Sequence, residues 1–186
     1  MRLRLRLAAV AATAVACAGL GLTGISSASA AKGIAGFALA NYMGNGNTAM
    51  CMTAGGNNLD PATVEPCDAA KWGSAQAWHW LDPFGGGYSQ LANGYGKCLG
   101  VIAGSVKQGT HLDAYTCKTG HLDQYWLLDT QFSCSHGTLS TFYPILNEGS
   151  SYVVGVVGGE MGNGQPLAIW HYQFTCNNQF WGGAED

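Results

Sequence analysis

Apolar positions follow two different rhythms along this chain. Leu7 to Leu22 is an almost unbroken run of small apolar residues, preceded by Arg2, Arg4 and Arg6 and followed by Ala28-Ser29-Ala30. Beyond it, no long stretch keeps the three- and four-residue spacing of an amphipathic helix. Short runs rich in Tyr, Trp, Val and Thr recur instead, cut by Gly, Asn and Pro. Such runs predict many short strands joined by turns, and hence an all-β chain.

The first run has the form of an export signal. A positive start, a short apolar centre and a small-x-small site predict a removed signal peptide over residues 1–30. No positive stop-transfer cluster follows, so no membrane span is expected and the mature chain is placed outside the cell. Ala14-Val15-Ala16-Cys17 loosely resembles a lipoprotein cleavage box, with Ala14 standing where Leu is usual. The apolar sequence runs on past Cys17, which reads as an ordinary residue of the signal.

The second rhythm is a repeat. Gln76-Ala77-Trp78, Gln124-Tyr125-Trp126 and Gln179-Phe180-Trp181 are three Gln-x-Trp triplets, spaced 48 and 55 residues apart. Residues 98–126 and 153–181 align over 29 residues without a gap. Gly100 matches Gly155, Gln108-Gly109 matches Asn163-Gly164, Leu112 matches Leu167 and Tyr115 matches Trp170. A looser first copy runs from Cys51 to Trp78. One unit of this size cannot bury its own apolar face, so three are expected to share one core. The units are drawn at about 45–82, 90–130 and 144–181, within a domain of 45–186. The segment 31–44 is left outside as a strand of the first unit, an arm or a docking tail.

With these triplets and segments the sequence resembles the ricin-B-type (R-type) lectins over roughly residues 45–181. The resemblance implies a β-trefoil of about twelve strands with pseudo-threefold symmetry. It makes Trp78, Trp126 and Trp181 buried core anchors, with each preceding Gln bonded to backbone. It also implies a disulfide within a unit, which fits Cys51–Cys67 and Cys98–Cys117. The third unit has Val153 and Tyr172 at those positions, which leaves Cys134 and Cys176 to pair with each other.

The same resemblance implies one shallow sugar pocket per unit, built from the Asp of a Cys-Leu-Asp strand, a mid-unit aromatic and an Asn before the closing Gln. Carried over by position, the second unit offers Asp113, Tyr115, Asp123 and Gln124. The third offers Trp170, Asn178 and Gln179, with Ala168 in place of the polar residue. The first has Glu65 at the aromatic position and Ala75 at the Asn position, and is expected to be inactive. The Cys-Leu-Asp aspartate is missing throughout, replaced by Thr53, Gly100 and Gly155.

Composition narrows the chemistry further. Of 186 residues only 10% are charged, and cleavage after residue 30 leaves five lysines against eleven carboxylates, a balance of −6. An acidic chain with no basic patch does not fit nucleic acid or an anionic membrane. Six cysteines remain after cleavage, an even number that suits three disulfides in an oxidising compartment. They lack Cys-x-x-Cys spacing and a His at ligand spacing, so no metal is expected. No Gly-x-Ser-x-Gly elbow, phosphate loop or dinucleotide fingerprint appears, and nothing marks a hydrolase's carboxylate pair. The expectation is a secreted, cofactor-free, non-catalytic lectin-like trefoil whose partners are cell-surface or matrix glycans. The alternative is a protein-binding trefoil. Size, signal and altered pockets look like the spoke subunits of the umbrella-like toxin particles of filamentous bacteria, which would make it the targeting part of a secreted toxin complex.

Overall fold

The computed structural model describes residues 37–43, 49–71, 74–83, 85–136 and 140–184. The export signal expected over residues 1–30 lies outside them. Among the described residues thirteen strands form one continuous sheet, and the only helices are single 3₁₀ turns. The first unit holds β1 (Ala38–Asn41), β2 (Met50–Thr53), β3 (Thr63–Pro66) and β4 (Trp78–Pro83). The second holds β5 (Ser89–Asn93), β6 (Lys97–Val101), β7 (Leu112–Thr116) and β8 (Tyr125–Leu128). After an extra strand, β9 (Cys134–His136), the third holds β10 (Ser140–Asn147), β11 (Val153–Val156), β12 (Gln165–Trp170) and β13 (Phe180–Ala184).

The outer strands of the units close on themselves. β1 pairs β13, β13 pairs β10, β10 pairs β8, β8 pairs β5 and β5 pairs β4. Phe37 and Trp78 exchange backbone hydrogen bonds of 2.9 Å, which joins β4 back to the start of β1. A closed ring leaves no unpaired edge among these six strands. The inner strands form three hairpins, β2–β3, β6–β7 and β11–β12, which touch in cyclic order. Pro61 bridges Asp113, His111 bridges Ala168, and β12 pairs β3 at Gln165 and Pro166.

Inside, the repeat is kept atom by atom. Trp78, Trp126 and Trp181 are wholly buried. Each indole N–H donates to the backbone one strand in, at Met52 (2.9 Å), Leu99 (2.9 Å) and Val154 (3.1 Å). Burying a ring this size while pairing its one donor makes each Trp an anchor whose truncation to Ala costs about 3–5 kcal/mol. Leu91, Leu99, Leu112, Ile145, Leu167 and Ile169 fill the space between them.

Three disulfides close the fold: Cys51–Cys67, Cys98–Cys117 and Cys134–Cys176. The first two tie the inner hairpins of their units. The third joins β9 to the turn before β13.

Two boundaries move. Ala38–Asn41 pairs along its length with β13, so of the readings left open for 31–44 these four residues take the strand, and the first unit starts ahead of residue 45. Within 131–143, β9 pairs antiparallel with Ser140–Phe142 at the start of β10, which begins ahead of residue 144.

Candidate functional site

Register brings the expected residues of the second unit to one place. Gly100 faces Asp113 and Cys98 faces Tyr115 across β6–β7, so Gly100, Asp113 and Tyr115 share one face. β11–β12 repeats this with Gly155 opposite Ala168 and Val153 opposite Trp170. Beside each face lies an open cleft. The second unit's cleft, about 360 Å³, is lined by Gly104, Ser105, His121 and Asp123, with Asn147 and Gly149 from the third unit. The third unit's, about 310 Å³, is lined by Val156, Gly158, Gly159, Trp170, Gln173, Asn178 and Gln179. The two occupy equivalent positions, since Gly104 and Asp123 align with Gly159 and Asn178.

Each cleft is floored by glycines that run close to polar groups. Gly104, Gly158 and Gly159 have positive φ, a conformation costly for other residues. A Cβ on Gly159 would stand 3.2 Å from the Asn178 carboxamide nitrogen. Asn178 donates to the Val156 carbonyl (3.3 Å), and Asp123 lies 3.7 Å from Nδ1 of His121.

The missing aspartates have a structural counterpart. A Cβ on Gly100 would come within 2.8 Å of Tyr115 Cδ2, and one on Gly155 within 2.9 Å of Trp170 Cδ1. Both rings are seated over the glycine, in the space that a side chain there would claim. Seated so, the Tyr115 hydroxyl and the Trp170 indole N–H are shielded from solvent, and the indole makes no hydrogen bond to the described residues.

The electrostatics differ between the clefts. Burial pushes the Asp113 carboxyl above the usual carboxylate range, with His111 opposing and Asp60 adding to the rise. Burial also raises the Tyr115 phenol, helped by Asp113 and Asp123, while the Ala103 backbone pulls it down. The second unit's site is thus anionic, and the third's has no charge at the matching positions, Ala168 and Asn178.

Gln124 and Gln179, expected to contact ligand, bond their carboxamides to backbone, and Gln179 also lines the third unit's cleft. Oε1 of Gln124 accepts from Lys118 N (2.8 Å) and its Nε2 donates to the Thr116 carbonyl (3.2 Å). Gln179 repeats this with Gln173 N (2.8 Å) and the His171 carbonyl (2.8 Å), and Gln76 with Asp68 N (2.8 Å) and the Pro66 carbonyl (3.0 Å). All three are buried clamps on the bend that leaves the unit's third strand. In the first unit Thr53 accepts from Gln76 (3.0 Å) and Glu65 pairs with Lys71 (2.7 Å), so the groups at the pocket positions are already paired.

A second threefold set escapes the sequence reading. Asn41, Asn93 and Asn147 end the first strand of each unit and are buried. Asn147 donates to the carbonyls of Leu122 (3.3 Å), Asp123 (3.1 Å) and Tyr125 (3.2 Å), holding the second unit's cleft from the third unit. Asn41 donates to the Asn178 carbonyl (2.9 Å), holding the third unit's cleft from the first. The signal is present as Leu39-Ala40-Asn41, Leu91-Ala92-Asn93 and Ile145-Leu146-Asn147.

A family model for ricin-type beta-trefoil lectin domain-like proteins matches residues 74–170. No curated protein sequence matches the chain. Among solved structures it is similar to the designed threefold-symmetric protein ThreeFoil, with a TM-score of 0.63 at 18% identity over 80% of this chain and 97% of that one. An exo-beta-1,3-galactanase from Clostridium thermocellum gives a TM-score of 0.62 at 22% identity, over 82% of this chain and 30% of that one. A Polyporus squamosus lectin, solved with a human-type influenza-binding epitope, gives 0.57 at 13% identity, over 80% of this chain and 49% of that one. The chain therefore spans nearly the whole of the designed protein, under a third of the galactanase and about half of the lectin. At these identities the likeness is one of fold.

Proposed function

The chain belongs to the ricin-type β-trefoil lectin domain-like family, and from that premise we propose that it is an exported, non-catalytic module that binds glycans through its second and third units. The observation that carries this reading is a glycine-lined open cleft with a planar polar side chain in each of the two units, joined in the third by the half-buried ring of Trp170. Sugars offer C–H faces to aromatic rings and hydroxyls to carboxylates and carboxamides. Tyr115 and Trp170 supply the rings, and Asp113, Asp123 and Asn178 supply the polar partners.

Binding engages the rings by swinging them off Gly100 and Gly155. The seated Trp170 leaves its buried indole N–H unpaired, at a cost of about 1–3 kcal/mol. Outward rotation returns that atom to water or to a ligand hydroxyl, and this offsets part of the work of opening. The second cleft, lined by the Asp123 carboxylate, favours neutral or amino sugars and repels acidic ones. The third accepts neutral sugars. Each shallow cleft binds weakly, and useful affinity comes from engaging both at once. The targets are cell-surface or matrix glycans, and the signal over residues 1–30 delivers the chain to them.

The test is a glycan array probed with the purified, disulfide-bonded chain. Binding should compete with free sugars. Tyr115→Ala and Trp170→Ala should each weaken it while leaving the thermal midpoint of a folded protein, and the double variant should abolish it. An array that stays silent for the parent chain, or a double variant that binds normally, overturns the assignment. A protein-binding role is favoured by one separate observation, an exposed aromatic cluster outside both clefts.

A further inference from the structure

Phe132, Tyr172 and Phe174 pack together on the surface of the third unit. Their ring centroids lie 5.3 Å (Phe132–Tyr172), 5.4 Å (Phe132–Phe174) and 4.5 Å (Tyr172–Phe174) apart, with the planes tilted by 67°, 68° and 52°. Phe174 is 73% exposed and Phe132 40%. Tyr172 roots the group, resting on Phe180 at 5.9 Å and on the small apolar cluster that includes Ala38, Ala40 and Phe142. A phenylalanine as open as Phe174 contributes little to the core, so core packing does not explain it.

The backbone beneath is held on both sides. Phe132 and Phe174 each stand two residues before a cysteine of the Cys134–Cys176 bridge. In the first two units the bridge ties the inner hairpin. In the third, Val153 and Tyr172 take those hairpin positions, and the disulfide sits outward under the two aromatic-bearing segments. A group rigidified before it meets a partner loses less entropy on binding.

Charge narrows the partner. Lys118 is the last basic residue: residues 119–186 carry six carboxylates and no Lys or Arg. Asp129, whose carboxylate accepts from Gln131 N at 3.0 Å, stands at the base of the Phe132 segment, and its charge adds to burial in raising the Tyr172 phenol. An anionic setting disfavours an anionic lipid surface and a second copy of the same face. The steep ring tilts make a convex knob rather than the flat platform on which a sugar stacks. Exposed, rigid aromatics of this kind anchor protein interfaces, and their faces attract Lys and Arg.

We propose that Phe132, Tyr172 and Phe174 form a protein-docking knob whose partner presents an apolar pocket rimmed by Lys or Arg. The test probes an array of random short peptides with the full disulfide-bonded chain and with Phe174→Ser, whose exposed ring can be lost without shifting the thermal midpoint. Peptides that need Phe174 should be rich in Lys or Arg beside Leu, Ile or Trp. Replacing their basic residues by Glu should weaken them by roughly five- to tenfold, the loss of one cation–π contact and its attraction to Asp129. Asp129→Asn should weaken them in the same direction, and Trp170→Ala should leave them unchanged, which separates the knob from the adjoining cleft. The proposal is overturned if no peptide depends on Phe174, or if the dependent peptides are acidic. Phe174-dependent binding to neutral glycans, to phosphatidylserine vesicles or to a second copy of the chain also overturns it.

Discussion

An aspartate at position 155 and the indole of Trp170 compete for one volume, since the Cβ alone would approach Cδ1 to 2.9 Å. Gly155→Asp should therefore drive the ring outward and lower stability by about 1–3 kcal/mol, the usual range for overpacking. Urea unfolding measures the loss, and the indole N–H resonance of Trp170 should move toward a solvated position. Asp113 gives a pH signature. Its folded-state carboxyl holds a proton more tightly than the unfolded chain's, because burial penalises the charge. Its contribution to stability is complete below the unfolded carboxylate value of about 3.9 and is lost as pH rises through the raised folded value. Asp113→Asn should thus be more stable than the parent at neutral pH, with the difference vanishing in acid, as thermal midpoints across pH would record. Asn147 has the opposite sense. Asn147→Ala leaves the 122–125 carbonyls without their buried donor and should cost about 1–3 kcal/mol, while blurring the second unit's binding before the third's.

At the scale of elements, the third disulfide separates two jobs that coincide in the other units. Removing Cys134–Cys176 with paired Ser substitutions should cost up to about 4 kcal/mol in the chain-entropy model for its 42-residue separation. Guanidinium unfolding reads that loss, and the ring-to-ring contacts of Phe132 with Phe174 should fade in NMR while the indole bonds of the core persist. The number of bridges is legible in the cysteine count, while their pairing and the Trp anchors follow from the family resemblance that the Gln-x-Trp triplets carry. The strand Ala38–Asn41 is not legible. Four residues carry too little periodicity to declare a strand, and its partner β13 lies at the far end of the chain. Its Leu-Ala-Asn ending becomes a signal only once the other two copies are set beside it. The site is half legible for a related reason. Alignment offers Asp113, Tyr115, Asp123, Trp170 and Asn178 as candidates, but what a carboxamide bonds depends on a bend, and Gln124 and Gln179 bond backbone.

At the scale of the molecule, threefold repetition is carried by a dozen atoms more faithfully than by the sequence. The Gln clamps, Trp donors and Asn hooks superpose in role while the residues between them have diverged, and the clefts diverge most. At the first unit's positions Thr53 and Glu65 are paired with Gln76 and Lys71, the second unit carries carboxylates and the third has Ala168 and Asn178 there. The second and third clefts are each held by the next unit, through Asn147 and Asn41. A single unit cut free should therefore bind nothing even if it folds.

Ala38 and Ala184 are ladder partners, so the first and last strands run side by side. The fold is a loop with a seam, and the seam need not be where the gene puts it. A version with those strands joined by a short linker and reopened in the turn between β4 and β5 would begin with the second unit and end with the first, keeping every clamp. Cargo fused to it would then leave from a different side, with the clefts unmoved.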